Sequence, residues 1–285
     1  HETDARKELI AMTARHRLSR IVVILVLSAL LFFTLFPMYF MLVTSFKSNY
    51  QLSINYFGLP ADPRFEYMKD AFAKIWGYMK NSMIISGASV IGVLAASSLS
   101  AYVFARFAFP LKQALFGILL AFLMIPGILT LVPQFVLITK MGLINSPWAA
   151  ILPYIAGGQL VVIFVLRTFF EEVPKELVES IRMDGGNEAV VFFRLVLPLA
   201  VPIFLSMGLV NILTTWNDFI WPLLVLSDQA KTTLTVGLYR FMDPQQIIYG
   251  SVFSGMTIAS VPLMALFAFT MKFFVQGMTS GAVKA

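Results

Sequence analysis

Six apolar runs, each long enough to cross a bilayer, constrain this chain more than any other feature. They lie at about Ile21–Phe46, Ser82–Ala105, Gln113–Ile138, Ala149–Phe169, Leu195–Trp221 and Val252–Val275. About 20 helical residues cover a hydrocarbon core of roughly 30 Å, so a run of 18 or more reads as a span. A helix is the only open-ended element that satisfies its own backbone in lipid. The expected fold class is therefore an all-α membrane protein with six transmembrane helices. A cytoplasmic N-terminal segment (1–20) precedes a membrane domain (21–276), and a cytoplasmic tail (277–285) follows it.

Composition agrees with that expectation. The chain is 59% hydrophobic and only 13% charged, against roughly 45–50% apolar in ordinary soluble domains. The first run follows about 20 mostly polar residues and is longer than a signal-peptide core, so it is expected to remain as a span.

The charges between the runs set the orientation. With the N-terminus inside, cytoplasmic segments hold Arg6, Lys7, Arg15, Arg17, Arg20, Arg106, Lys112, Arg167, Lys175, Arg182, Arg194, Lys272 and Lys284. External segments hold Lys47, Arg64, Lys69, Lys74, Lys80, Lys140, Lys231 and Arg240. Thirteen against eight favours both termini inside. The net charge of +6 is distributed in this way between the runs. It is not gathered on one face as nucleic-acid binding requires.

Several chemistries are excluded. There is no cysteine, so no disulfide, thiolate or Cys-based metal site. The two histidines, His1 and His16, sit in the polar N-terminal segment, away from every apolar run. No lysine follows a glycine, so no phosphate-cradling P-loop exists. Neither His-Glu-x-x-His nor a pair of carboxylates within a span supports a membrane enzyme.

The stretch between runs four and five, 171–194, is the most informative. Six of the 15 acidic residues lie between Glu171 and Glu188. Pro174 fits the first turn of a helix. Leu177 and Ile181, four apart, share a face. Gly185-Gly186 can end that helix with a left-handed residue. Asn187 then caps a second helix, with Glu188 in its first turn. A helix lying on anionic lipid would be basic, whereas this one is acidic where the cytoplasmic membrane surface repels it. A basic protein surface is the better partner.

Glu179-Ser180-Ile181-Arg182-Met183-Asp184-Gly185-Gly186, followed by Leu197-Pro198, resembles the EAA loop of ATP-binding-cassette importer permeases. The spacing matches. Ser180-Ile181 stand in place of two alanines, and Gly186 in place of a common alanine. Trp216-Asn217-Asp218-Phe219 with Trp221-Pro222-Leu223, then Thr233-Leu234, resembles the fifth-span signature of carbohydrate permeases of the maltose-permease G-subunit type. Gly142-Leu143-Ile144-Asn145-Ser146, Leu152-Pro153-Tyr154 and the tail from Gly277 to Lys284 are similar to the same family.

The resemblance implies a bacterial inner-membrane permease subunit of a binding-protein-dependent, ATP-driven importer for a carbohydrate, with an oligosaccharide as the cargo. It is not an enzyme and carries no cofactor of its own; ATP and Mg belong to a partner. Its implied partners are a second, homologous permease, two copies of a cytoplasmic ATPase and an extracytoplasmic solute-binding protein. The residues implied in ATPase coupling are Leu177, Glu179, Ile181, Met183, Asp184, Gly185 and Gly186. Glu179 would face a basic residue of the ATPase, and Leu177, Ile181 and Met183 would be apolar anchors.

Asp218 is the acidic residue within an apolar run, which marks a functional site by default. Its place beside Trp216 and Trp221 equally fits an interfacial anchor. Tyr154, Gln159, Asn211, Trp216, Asn217 and Asp218 are the candidate pathway residues, since sugars need hydrogen-bonding groups and aromatic faces. Interhelical hydrogen bonding is the alternative for each polar residue among them. Pro126, Pro133, Pro153, Pro202 and Pro262 read either as packing kinks or as breaks lining a pathway. The external segment Leu52–Lys80 packs on the partner permease or touches the binding protein; the residues do not decide between these. The rival from another class is an ion- or proton-coupled secondary transporter. Such carriers show internal repeats and mid-membrane carboxylates, neither of which is clear here.

Overall fold

The structure is a computed structural model, and it describes residues 2–242 and 247–282, with side chains from Ser19 to Met271 apart from 241 and 243–246. The side chains of Arg6, Lys7, Arg15, His16 and Arg17, and of the tail from Gly277, lie outside the described residues, as do His1 and residues 283–285.

The regular structure of the described residues is all helical, without strands. The helices are α1 (Glu2–Thr44), α2 (Asn49–Ile54), α3 (Glu66–Arg106), α4 (Lys112–Phe122), α5 (Gly127–Lys140), α6 (Trp148–Glu172) and α7 (Lys175–Met183). They continue with α8 (Glu188–Leu199), α9 (Val201–Asn217), α10 (Ile220–Val225), α11 (Leu234–Phe241) and α12 (Tyr249–Ala282). Among the described residues, four stretches are long and apolar enough to cross a membrane: Ser19–Thr44, Glu66–Arg106, Trp148–Glu172 and Tyr249–Met271.

The runs expected as single helices over Gln113–Ile138 and Leu195–Trp221 are instead bent pairs. α4 and α5 meet at 97°, and α8 and α9 at 71°. Proline explains both corrections. Pro126 caps α5 and has no N–H to extend α4. Pro198 and Pro202 flank the corner at Ala200 and remove two donors from the helical ladder. Just before them, Phe192–Val196 forms a π turn, in which the Leu197 N–H reaches back to the Phe192 carbonyl.

Two compact units are present. The first comprises His1–Phe72 and Pro244–Ile258. Its keystone is Lys47, only 1% exposed, whose Nζ donates to the carbonyls of Asn55 (2.8 Å) and Tyr56 (3.1 Å). Burial pushes its pKa down. Ser48 opens α2 with a reciprocal capping box to Gln51. Asn49 accepts the Tyr249 N–H and donates to the Ile247 carbonyl, fixing the start of α12. A Cβ on Gly250 would meet the Lys47 carbonyl oxygen at 2.4 Å, so only glycine permits that approach.

The second unit comprises Ala73–Asp243 and Ala259–Ala285. α3 and α6 each contribute to its two apolar cores. One core gathers Tyr102, Leu166, Phe170, Val178, Val191 and Phe192. The other gathers Ile85, Ile138, Ala149, Ile151, Trp221 and Val225. In the second core the Trp221 Nε1 donates to the Ala149 carbonyl (3.1 Å). That carbonyl cannot take its ordinary i+4 bond, because residue 153 is proline.

Candidate functional site: a helical elbow and a lined cavity

The acidic segment folds as a helix, a sharp turn and a second helix. Pro174 is the N-cap of α7, and Asn187 caps α8 by accepting the Val190 N–H (3.0 Å). The turn between them is a Schellman motif. Gly185 has φ +82°, its N–H bonds to the Arg182 carbonyl (3.0 Å), and the Gly186 N–H bonds to the Ile181 carbonyl (2.8 Å). A Cβ on Gly186 would sit 2.5 Å from Ile181 Cγ2. The two departures from the family pattern thus answer each other: the larger Ile181 fills the space an alanine at 186 would need.

α7 has two unlike faces. Val178 is buried, and Ile181 packs beside it against the core of Tyr102, Phe170 and Phe192. Ile181 is therefore not an outward anchor alongside Leu177, as the four-residue spacing suggests. Each residue advances 100° around the helix, so a pair four apart is offset by about 40°, and at the edge of the stripe that offset decides the side. The outward face carries Leu177, 45% exposed, and Met183, 88% exposed. Glu176, Glu179 and Asp184 are exposed with them, and Gly185 is open to solvent.

Glu188 ties the elbow together. Its Oε1 accepts from Arg182 Nε (3.0 Å) and Nη2, and its Oε2 accepts the Tyr102 hydroxyl (2.8 Å). Burial pushes this carboxyl up, but the Tyr102 hydroxyl and Arg182 outweigh it and leave it below its ordinary value. Arg106 Nη2 donates to the Val173 carbonyl (2.7 Å), just ahead of α7. The sequence reading missed Tyr102 and Arg106. Their signal was an i, i+4 polar pair at the end of an apolar run.

A cavity of about 740 Å³ lies within the second unit, beside the α4–α5 break and the start of α10. Tyr154, Asp218, Trp221, Thr130 and Gln134 are among its lining residues. The Tyr154 hydroxyl donates to Asp218 Oδ2 (2.8 Å), while Asp218 Oδ1 accepts the Trp221 N–H (3.4 Å) at the start of α10. Asp218 thus anchors a helix and faces the cavity together. The other pathway candidates do not line it. Trp216 is buried, with its carbonyl accepting from Thr235 (2.7 Å). Asn211 and Asn217 donate to carbonyls of their own helix, those of Met207 (2.9 Å) and Leu213 (2.8 Å). Gln159 is half-buried on α6. Thr130 and Gln134, joined at 3.1 Å, take their place. They are polar residues four apart in a helix whose other polar side chains, Thr139 and Lys140, lie at its end.

Residues 88–280 match the model of the family described as binding-protein-dependent transport system inner membrane component. The chain belongs to that family. A permease of this kind works with an ATPase on a separate subunit and with a solute-binding protein, and is not itself an enzyme. Over 89% of its length it is 33% identical to an arabinooligosaccharides transport system permease protein, AraQ, of Halalkalibacterium halodurans, of which 92% is covered. A melibiose/raffinose/stachyose import permease protein, MelC, of Bacillus subtilis is 32% identical over 87% of this chain and 91% of its own. The fold is shared with a solved bacterial ABC transporter involved in importing the acidic polysaccharide alginate. That likeness has a TM-score of 0.80 at 18% identity, over 90% of this permease and 97% of that chain. These relatives point to an ATP-driven permease and away from the ion- or proton-coupled carrier.

Proposed function

We propose that this chain is one of two permease subunits forming the pathway of an ATP-driven oligosaccharide importer. Each bent pair, α4–α5 and α8–α9, counts as one crossing, which makes six, with both termini in the cytoplasm. Segment 171–194 is the coupling loop, and α7 sits in a cleft of one of two cytoplasmic ATPases. The observation that carries this reading is the outward face of α7, where exposed Leu177 and Met183 stand among Glu176, Glu179 and Asp184. Apolar anchors ringed by acids suit a basic protein cleft and not anionic lipid. The exposed apolar stretch of residues 21–35 suits contact with lipid and a second permease.

ATP closes the two ATPases, and the elbow passes that motion to the spans as rigid-body rocking. ATP acts only through its greater affinity for the closed arrangement. The sugars named for the relatives support an oligosaccharide as cargo. In the cavity, Tyr154, Asp218, Thr130 and Gln134 offer hydrogen bonds, and Trp221 and Tyr154 offer aromatic faces.

The test uses the complete complex with its binding protein, probed with labelled raffinose and arabinotriose. Glu179→Lys and Gly185→Asp are expected to abolish uptake while the subunits remain in the membrane. Wild-type uptake in both variants would refute the docking of α7.

A further inference from the structure

α3 grips both ends of α7. Tyr102 and Arg106 are four apart and so share one face of α3. Arg106 holds the Val173 carbonyl at the entry to α7 (2.7 Å). Tyr102 holds Glu188 (2.8 Å), which in turn holds Arg182 in the last turn of α7. Between these two points Val178 and Ile181 press into the core that includes Tyr102 itself. The Tyr102 ring is 5% exposed and fixed by Phe192, with centroids 5.0 Å apart.

The chain connects α7 to α6 on one side and to α8 on the other, but α8 is a poor rod. It contains a π turn and ends at a 71° corner. α3 runs unbroken from Glu66 to Arg106 and also supplies Ile85 to the far core. A charge-assisted network is stronger than the sum of neutral bonds, and one face holding both helix ends resists rotation as well as translation.

We infer that Tyr102, Arg106, Glu188 and Arg182 form a two-point clamp that makes α7 and α3 move as one body, so that the ATPase stroke enters the membrane through α3. This rests on the docking of α7 proposed above. The four are positioning residues for coupling.

The chain has no cysteine, so its labels come only from introduced residues. Leu99, 55% exposed on α3, and Ser180, exposed on α7, are the sites. Spin labels at Leu99→Cys and Ser180→Cys are read in the assembled complex, without nucleotide and with Mg-ATP plus vanadate. With the clamp intact, the label-to-label distance is expected to be narrow and the same in both states. Tyr102→Phe, which keeps the ring packing, is expected to broaden it, as is Tyr102→Phe with Glu188→Ala. In both variants ATP–vanadate is expected to shift it by about 2 Å or more. A distance that stays narrow and insensitive to nucleotide in both variants overturns the clamp. So does a wild-type distance that itself changes with nucleotide. The mobility of the Ser180 label alone judges the docking: immobilisation on adding the ATPase supports it. A label equally mobile with and without the ATPase removes the docking and the clamp's role with it.

Discussion

Gly186→Ala is the substitution whose cost the structure fixes most tightly. The added Cβ would stand 2.5 Å from Ile181 Cγ2, 2.8 Å from the Ile181 carbonyl oxygen and 3.4 Å from Val190 Cγ1. Ile181 cannot swing clear, because a β-branched side chain in a helix has essentially one χ1 rotamer. Nor can its carbonyl, which receives the Gly186 N–H at 2.8 Å. Overpacking of this kind costs about 1–3 kcal/mol. Ile181→Ala alone costs about 1–2 kcal/mol, roughly half the range for a fully buried isoleucine, since this one is half-buried. In the double variant the contact with Cγ2 is gone and only the carbonyl contact remains, so the summed cost should shrink by about 1 kcal/mol. The assay is amide hydrogen exchange across 181–192 in the purified complex. There, 1–3 kcal/mol of lost local stability appears as roughly 5- to 150-fold faster exchange. Exchange at the wild-type rate in Gly186→Ala, or strictly additive effects in the pair, would refute the packing argument.

Three further outcomes are expected. Trp221→Phe leaves the buried Ala149 carbonyl without a donor, at a cost of about 1–3 kcal/mol. The melting midpoint should fall by about 2–4 °C per kcal/mol, and Pro153→Ala should recover most of the loss. Glu188 has a folded pKa held below its unfolded value of about 4.3. Its contribution is therefore complete above that value and disappears as pH falls through the lower folded one. The protection of the 181–192 amides, taken relative to their intrinsic exchange rate at each pH, should fall on acidification from about pH 5 to 3, and Glu188→Gln should flatten that fall. Tyr154→Phe removes the 2.8 Å bond to Asp218 within the cavity. Raffinose uptake should drop about 10-fold, equivalent to about 1.4 kcal/mol, with assembly unchanged; unaltered uptake would remove this pair from the pathway.

Much of the fold was legible in the residues because lipid imposes a simple rule: long apolar runs become helices. The elbow was legible for the same kind of reason. Pro174, Gly185 and Asn187 have local conformational preferences that hold whatever surrounds them, and each occupies a helix-boundary or turn position in the structure. Two things were not legible. Proline marks a break but does not set its angle, so 97° at Pro126 and 71° at Ala200 depend on packing among distant helices. The lining of the cavity depends on which way each polar residue turns. Asn211 and Asn217 bond to their own helix away from the cavity, whereas Thr130 and Gln134, unremarkable in sequence, line it even though Thr130 also donates to the Gly127 carbonyl (2.8 Å). Side-chain direction of that kind is decided by neighbours far along the chain.

The borrowed indole donor over Ala149 carries an evolutionary consequence. Pro153 and Trp221 are not free to drift apart. A lineage that discards Trp221 first passes through a protein with a bare acceptor sealed in its core. One that discards Pro153 first regains a backbone partner for that acceptor, which then no longer needs the Trp221 indole. The order of change is thus biased, and descendants lacking the tryptophan should also lack the proline.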